Sequence, residues 1–120
     1  MSEAHFNKLT PAQAELLACL AEECEEIMQA VGKALRHGLD DGSPYPTSIP
    51  LGAHGHPRNR QSIALEVGNL EAVRDRMLKA GIIDQAEVEM GRVQKDAKLR
   101  DWTHHQPDST YPQILSMGGR

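Results

Sequence analysis

Aromatic side chains are nearly missing from this sequence, with one Trp, one Phe and two Tyr in 120 residues, or 3% of the chain. Aromatics supply the largest blocks of buried area, so a small domain without them has a thin core and gains from self-association. Cysteine is almost as scarce. Cys19 and Cys24 stand five residues apart in a helical stretch, about 140° apart around the axis, which rules out a disulfide between them. No Cys-x-x-Cys or zinc-finger spacing exists, and two reduced thiols fit a cytoplasmic location. Positive charge is also short: thirteen Lys and Arg face seventeen Asp and Glu, net −4, against a general grip on nucleic acid. No apolar run approaches the roughly 18 to 20 residues that cross a bilayer, and Met1 to Leu9 lacks the basic-then-apolar order of a signal peptide. The sequence therefore predicts neither a nucleic-acid nor a membrane partner.

What is present has helical period. Thr10, Pro11 and Gln13 form a capping box with proline in the first turn, starting a helix over about 11–37 that Gly38 stops. Gly32 weakens the middle of that helix, and a close helix contact would account for it. Residues 38–58 are rich in Gly and Pro and read as a long loop. Asn59 offers a cap for a second helix over about 60–80, closed by Gly81. Asp84 and Glu87 start a third over about 85–101, with Ala86, Met90, Val93 and Ala97 at helical spacing, and 103–120 follows as an arm. No strand or known repeat is apparent. The expectation is a single all-α domain over 1–120, a bundle of about three main helices completed by oligomerisation.

The carboxylates carry the chemical signal. With Leu16 set at 0° on the first helix, Leu16, Leu20, Cys24, Ile27, Val31 and Leu35 fill an arc from 0° to about 100°, the expected core stripe. Glu23 lies at about 340°, Glu26 at about 280° and Glu22 at about 240°, whereas Glu25, at about 180°, points away. Cys19 and Ala30 leave room beside Glu23 and Glu26. On the second helix Ile63, Val67, Leu70, Val73, Met77 and Leu78 form the apolar arc, and Glu66 falls inside it with Asn69 at its border.

Two carboxylates about 4 Å apart repel by roughly 4 kcal/mol at an effective dielectric of 20. Convergence of Glu23, Glu26 and Glu66 therefore requires cations, protonation, or pairing with Arg or Lys. Oxygen-only ligands favour a hard cation, Mg²⁺ or Mn²⁺. A ferritin-like di-iron site is excluded because no Glu has His three residues on.

Glu22-Glu23-x-x-Glu26 on one helix and Glu66-Val67-Gly68-Asn69 on the next resemble the MazG-type all-α nucleoside triphosphate pyrophosphohydrolases, whose pattern is Glu-Glu-x-x-Glu and Glu-x-x-Asp. The likeness covers roughly Leu16 to Leu78, and Asn69 replaces the family's Asp. It implies hydrolysis of a nucleoside triphosphate to monophosphate and pyrophosphate with Mg²⁺, in a dimer or a dimer of dimers. Carried over by position, Glu23, Glu26, Glu66 and Asn69 are the metal ligands, and Glu22 is a further ligand or orients the water.

Lys33, on the glutamate side roughly 10 Å beyond Glu26 along the axis, is a candidate phosphate contact. Arg58, Arg60, Lys95 and Lys98 are others, and Trp102 could stack on a base. His54, His56, His104 and His105 lack Cys or carboxylates at ligand spacing and do not read as a metal site. The alternative to an enzyme is a helical binding or assembly module that kept the fold and lost activity, with Asn69 as the trace and Glu66 paired to a basic residue across an interface.

Overall fold

The computed structural model describes residues 6–41 and 57–110, and within them the chain is all-helical: α1 (Pro11–His37), α2 (Asn59–Lys79) and α3 (Gln85–Trp102). These lie within one residue of the ranges read from the sequence. No helix among the described residues is long and apolar enough to cross a membrane. The chain divides into two compact units, Met1–Ile82 and Ile83–Arg120.

The first unit is an α1–α2 pair whose ends are set by local chemistry. The Thr10 hydroxyl accepts from Gln13 N at 3.1 Å, and Gln13 Oε1 accepts from Thr10 N at 2.9 Å, the reciprocal capping box. Gly38, at φ 87°, stops α1 where an L side chain would be strained. At the end of α2, Ile82 N donates to Met77 O and Gly81 N to Leu78 O, with Gly81 at φ 73°. This is a Schellman turn that joins Ile82 to buried Met77.

Asn59 differs from its expected role. Arg58 is the N-cap residue of α2, and Gln61 Oε1 accepts from Arg58 N at 2.8 Å. Asn59 is buried instead, and its side-chain amide donates to Gly38 O at 2.8 Å. Asn59 N and Arg60 N donate to Asp41 O and Leu39 O, and Arg60 holds Asp40 through two bonds of 2.7 and 2.8 Å. The two stems of the inter-helix segment are thereby joined; residues 42–56, which include His54 and His56, lie outside the described residues.

The covered stripe of α1 is also rotated from the expected one. Leu16, Cys19, Leu20, Glu23, Glu26, Ile27, Ala30 and Ala34 are half-buried or buried, whereas Cys24, Val31 and Leu35 are exposed. The stripe centres near Glu23, because small Cys19 and Ala30 make that side the one α2 can approach. On α2, Ile63, Glu66, Leu70, Val73, Met77 and Leu78 are covered while Val67 is exposed, so Glu66 stands in the apolar face as its spacing implied. Gly32 meets no close helix: an added Cβ would touch only Arg36 Nη1 at 3.6 Å.

In the second unit Asp84 Oδ2 caps α3 by accepting from Glu87 N at 3.1 Å. The start of the arm folds back on the end of α3. Thr110 N donates to Arg100 O at 2.7 Å, and the Thr103 and Ser109 hydroxyls meet at 2.8 Å. The rest of the arm, 111–120, lies outside the described residues.

Candidate metal centre

The pairing of α1 with α2 brings three carboxylates together. Glu23 and Glu26 are one turn apart on α1 and Glu66 faces them from α2; one oxygen from each lies within 4.8 Å of the other two. All three are half-buried. Trans oxygen ligands stand about 4.2 Å apart across Mg²⁺ and about 4.6 to 5.2 Å across Ca²⁺, so the cluster has the dimensions of a hard-cation site without singling out one ion.

Two features mark the electrostatics of the cluster. Oε2 of Glu23 is buried and has no hydrogen-bond partner. Burying an unpaired carboxylate oxygen is costly, and native structures rarely leave one so. The Glu26 carboxyl is pushed up from 4.5 to about 7, chiefly by a hydrogen bond shared with Glu66, then by burial and by the charges of Glu23, Glu66 and Glu22. A proton shared between Glu26 and Glu66 neutralises one charge and leaves the Glu23 oxygen without a partner. Among the described residues no Arg or Lys forms an ion pair with any of the three.

The other expected residues divide into three groups. Glu22 is exposed, yet near enough for its charge to raise Glu26. Asn69 Nδ2 donates to Glu66 Oε2 at 3.3 Å, so the amide here orients Glu66, and to serve as a ligand it must turn to present its oxygen. Lys33 and Arg58 are exposed, whereas Arg60 is engaged with Asp40. Lys95, Lys98 and Trp102 are exposed on α3, in the second unit.

The residue that sequence reasoning assigned too small a part is Asn59. Its signal was ambiguous, since Asn before a helix ordinarily caps it, and only the approach of Gly38 O gives the amide another partner. No family model, curated protein or solved structure matches this chain.

Proposed function

We propose that this chain is a divalent-metal-dependent nucleoside triphosphate pyrophosphohydrolase, with Mg²⁺, or Mn²⁺ in its place, held by Glu23, Glu26 and Glu66. The observation that carries the reading is the three-carboxylate cluster with its orphaned Glu23 oxygen and no basic partner. The reaction class is what the Glu22-Glu23-x-x-Glu26 and Glu66-x-x-Asn69 resemblance implies. Oxygen-only ligands suit a hard cation that also takes phosphate oxygens.

Hydrolysis to monophosphate and pyrophosphate consumes one water: its oxygen bonds to the α-phosphorus, the bond from that phosphorus to the bridging oxygen breaks, and a proton must be removed from the water. A bound divalent ion supplies charge neutralisation on the phosphates and a more acidic water. The protein's own part is positional. Glu23 and Glu26 stand one helical turn apart and Glu66 accepts from Asn69, while Glu22, exposed and near enough for its charge to reach Glu26, is the residue we assign to orient the water and accept its proton. Of the phosphate contacts expected from the sequence, Lys33 and Arg58 are the exposed ones in the first unit that form no ion pair among the described residues. The chain works in the cytoplasm and needs neither nucleic acid nor a membrane.

The test is pyrophosphate release from a panel of ordinary and modified triphosphates with Mg²⁺, in wild type and in Glu23→Gln and Glu66→Gln. Wild-type turnover in either variant removes the reading. A second reading, a binding or assembly module without activity, is favoured by Asn69: its amide and the proton shared by Glu26 and Glu66 satisfy part of the cluster without any metal. That reading expects no pyrophosphate from any triphosphate and no Mg²⁺-dependent rise in melting temperature.

A further inference from the structure

The seam between α1 and α2 repeats, so it does not by itself say how far along α1 the second helix lies. Among the covered positions of α2, Asn59, Ile63, Glu66, Leu70, Val73 and Met77 follow at spacings of four, three, four, three and four. On α1, Leu16, Leu20, Glu23, Ile27, Ala30 and Ala34 follow at the same spacings. Two stripes of one period can slide past each other by a turn, about 5.4 Å, and still set apolar residues against apolar residues. The connection does not prevent this. A short loop fixes where two antiparallel helices meet, but Gly38 and Asn59 are 21 residues apart in the chain, a length that tolerates such a shift at little cost.

Asn59 closes the seam with a polar layer. It is 4% exposed, the only buried polar or charged residue among those described, and its amide donates to Gly38 O at 2.8 Å. Slid by one turn, the amide would be buried away from its acceptor, which is costly. Gly38 is shaped for the same contact. It stands at φ 87° and ψ 172°, a backbone region essentially restricted to glycine, and an added Cβ would meet nothing within 4 Å. The glycine is therefore needed for the direction of its carbonyl and not for room. The other contacts at this end select position less well. Asn59 N to Asp41 O and Arg60 N to Leu39 O are backbone bonds that neighbouring residues could make equally, and the Arg60 and Asp40 side chains are each more than half exposed.

We propose that Asn59 is a positioning residue: its bond to Gly38 O fixes the register of α2 on α1 and so delivers Glu66, two turns further along the same face, to Glu23 and Glu26. Seven residues turn a helix to within about 20° of two full turns and advance it about 10.5 Å, so the two side chains share one face. A slip of one turn would carry Glu66 about 5.4 Å along the axis. That exceeds the 4.8 Å within which the three carboxylates now offer their oxygens. A single polar residue in an otherwise apolar seam is a known way to choose one register among several. Register is a property of the helix pair alone, whereas its consequence for metal rests on the reading of the cluster as a cation site.

The register is read as the distance between spin labels on Ala18→Cys and Ala64→Cys, both exposed positions, in a Cys19→Ala, Cys24→Ala background diluted into unlabelled chain. With Asn59 in place a single distance is expected. Asn59→Leu, close in size but without a donor, and Asn59→Asp, which sets a carboxylate against Gly38 O, should each add a second distance displaced by up to about 5 Å. Gly38→Ala should do the same, and combined with Asn59→Leu should add nothing further, since both act through one bond. Ile63→Ala removes packing from the same face and should lower the melting temperature while keeping the single distance. Mn²⁺ affinity, read from the paramagnetic signal of the free ion over unlabelled chain, should weaken about tenfold or more in Asn59→Leu and stay within about twofold of wild type in Ile63→Ala. A single unchanged distance in both Asn59 variants, or the same second distance in Ile63→Ala, overturns the register role. A displaced distance with wild-type Mn²⁺ affinity overturns the delivery of Glu66. A wild type that binds no Mn²⁺ removes the cation reading, and the distances still decide the register.

Discussion

The two long faces of α1 are both mixed in character, one lying against α2 and the other exposed. The face against α2 covers Leu16, Leu20, Ile27 and Ala30 together with two carboxylates, Glu23 and Glu26, while the face away from it exposes Leu17, Met28, Val31 and Leu35. A helix that only needed to hold a hairpin together would keep the two glutamates in solvent. The contrast teaches that the two faces carry different chemistry: one gathers carboxylates where α2 approaches, and the other leaves large apolar side chains in solvent. A ligand that binds only the folded chain at either face would raise its stability.

The largest effect should come from the charged face. Glu23→Gln and Glu66→Gln are expected to lower pyrophosphate release at saturating Mg²⁺ at least about a hundredfold, read by a phosphate-coupled assay, while leaving helicity intact. Next, Mg²⁺ at a hundredfold excess over Kd should stabilise wild type by about 2.7 kcal/mol, read as a rise in melting temperature that Glu66→Gln loses. If the apolar face answered to Mg²⁺ instead, Leu35→Lys would lose that rise too, and the contrast between the faces would collapse.

A smaller and more diagnostic effect concerns pH. The Glu26 carboxyl is raised from 4.5 to about 7 by sharing a hydrogen bond with Glu66, so the folded chain holds a proton that the unfolded chain releases sooner. Stability from this source is full below about pH 4.5 and is lost as pH rises through about 7. Without divalent ions the melting temperature should fall from pH 5 to pH 8, and Glu66→Gln should flatten that slope. Asn69→Asp should tighten Mg²⁺ binding by adding a charge, measured by titration calorimetry; unchanged or weaker binding would refute the role given to Asn69. Smallest in reach, Thr10→Ala should cost about 1 kcal/mol by removing the α1 cap and leave Mg²⁺ binding alone.

Much of the fold could be read directly. The capping box at Thr10 and Gln13 and the glycines at 38 and 81 act through backbone chemistry within a few residues, so the ends of α1 and α2 follow from local sequence. The convergence of Glu23 and Glu26 with Glu66 was also legible, because an acidic residue inside an apolar arc has few other uses. The facing of α1 was less so. Placing Cys24, Val31 and Leu35 in the core followed hydrophobicity alone, whereas the helices pair where Cys19 and Ala30 let the backbones approach. The buried role of Asn59 was hidden for a similar reason, since its partner, Gly38 O, stands 21 residues away in the chain.

By itself the sequence determined that the described chain is helical, where its helices start and stop, and which carboxylates could meet, because caps and periodicity are short-range properties of the backbone. The tertiary structure alone decided which side of α1 is covered, that Asn69 donates its amide to Glu66, and that one oxygen of Glu23 is left without a partner. Those outcomes depend on how closely two helices approach and in what rotation, and such quantities are set by packing between residues far apart in the chain.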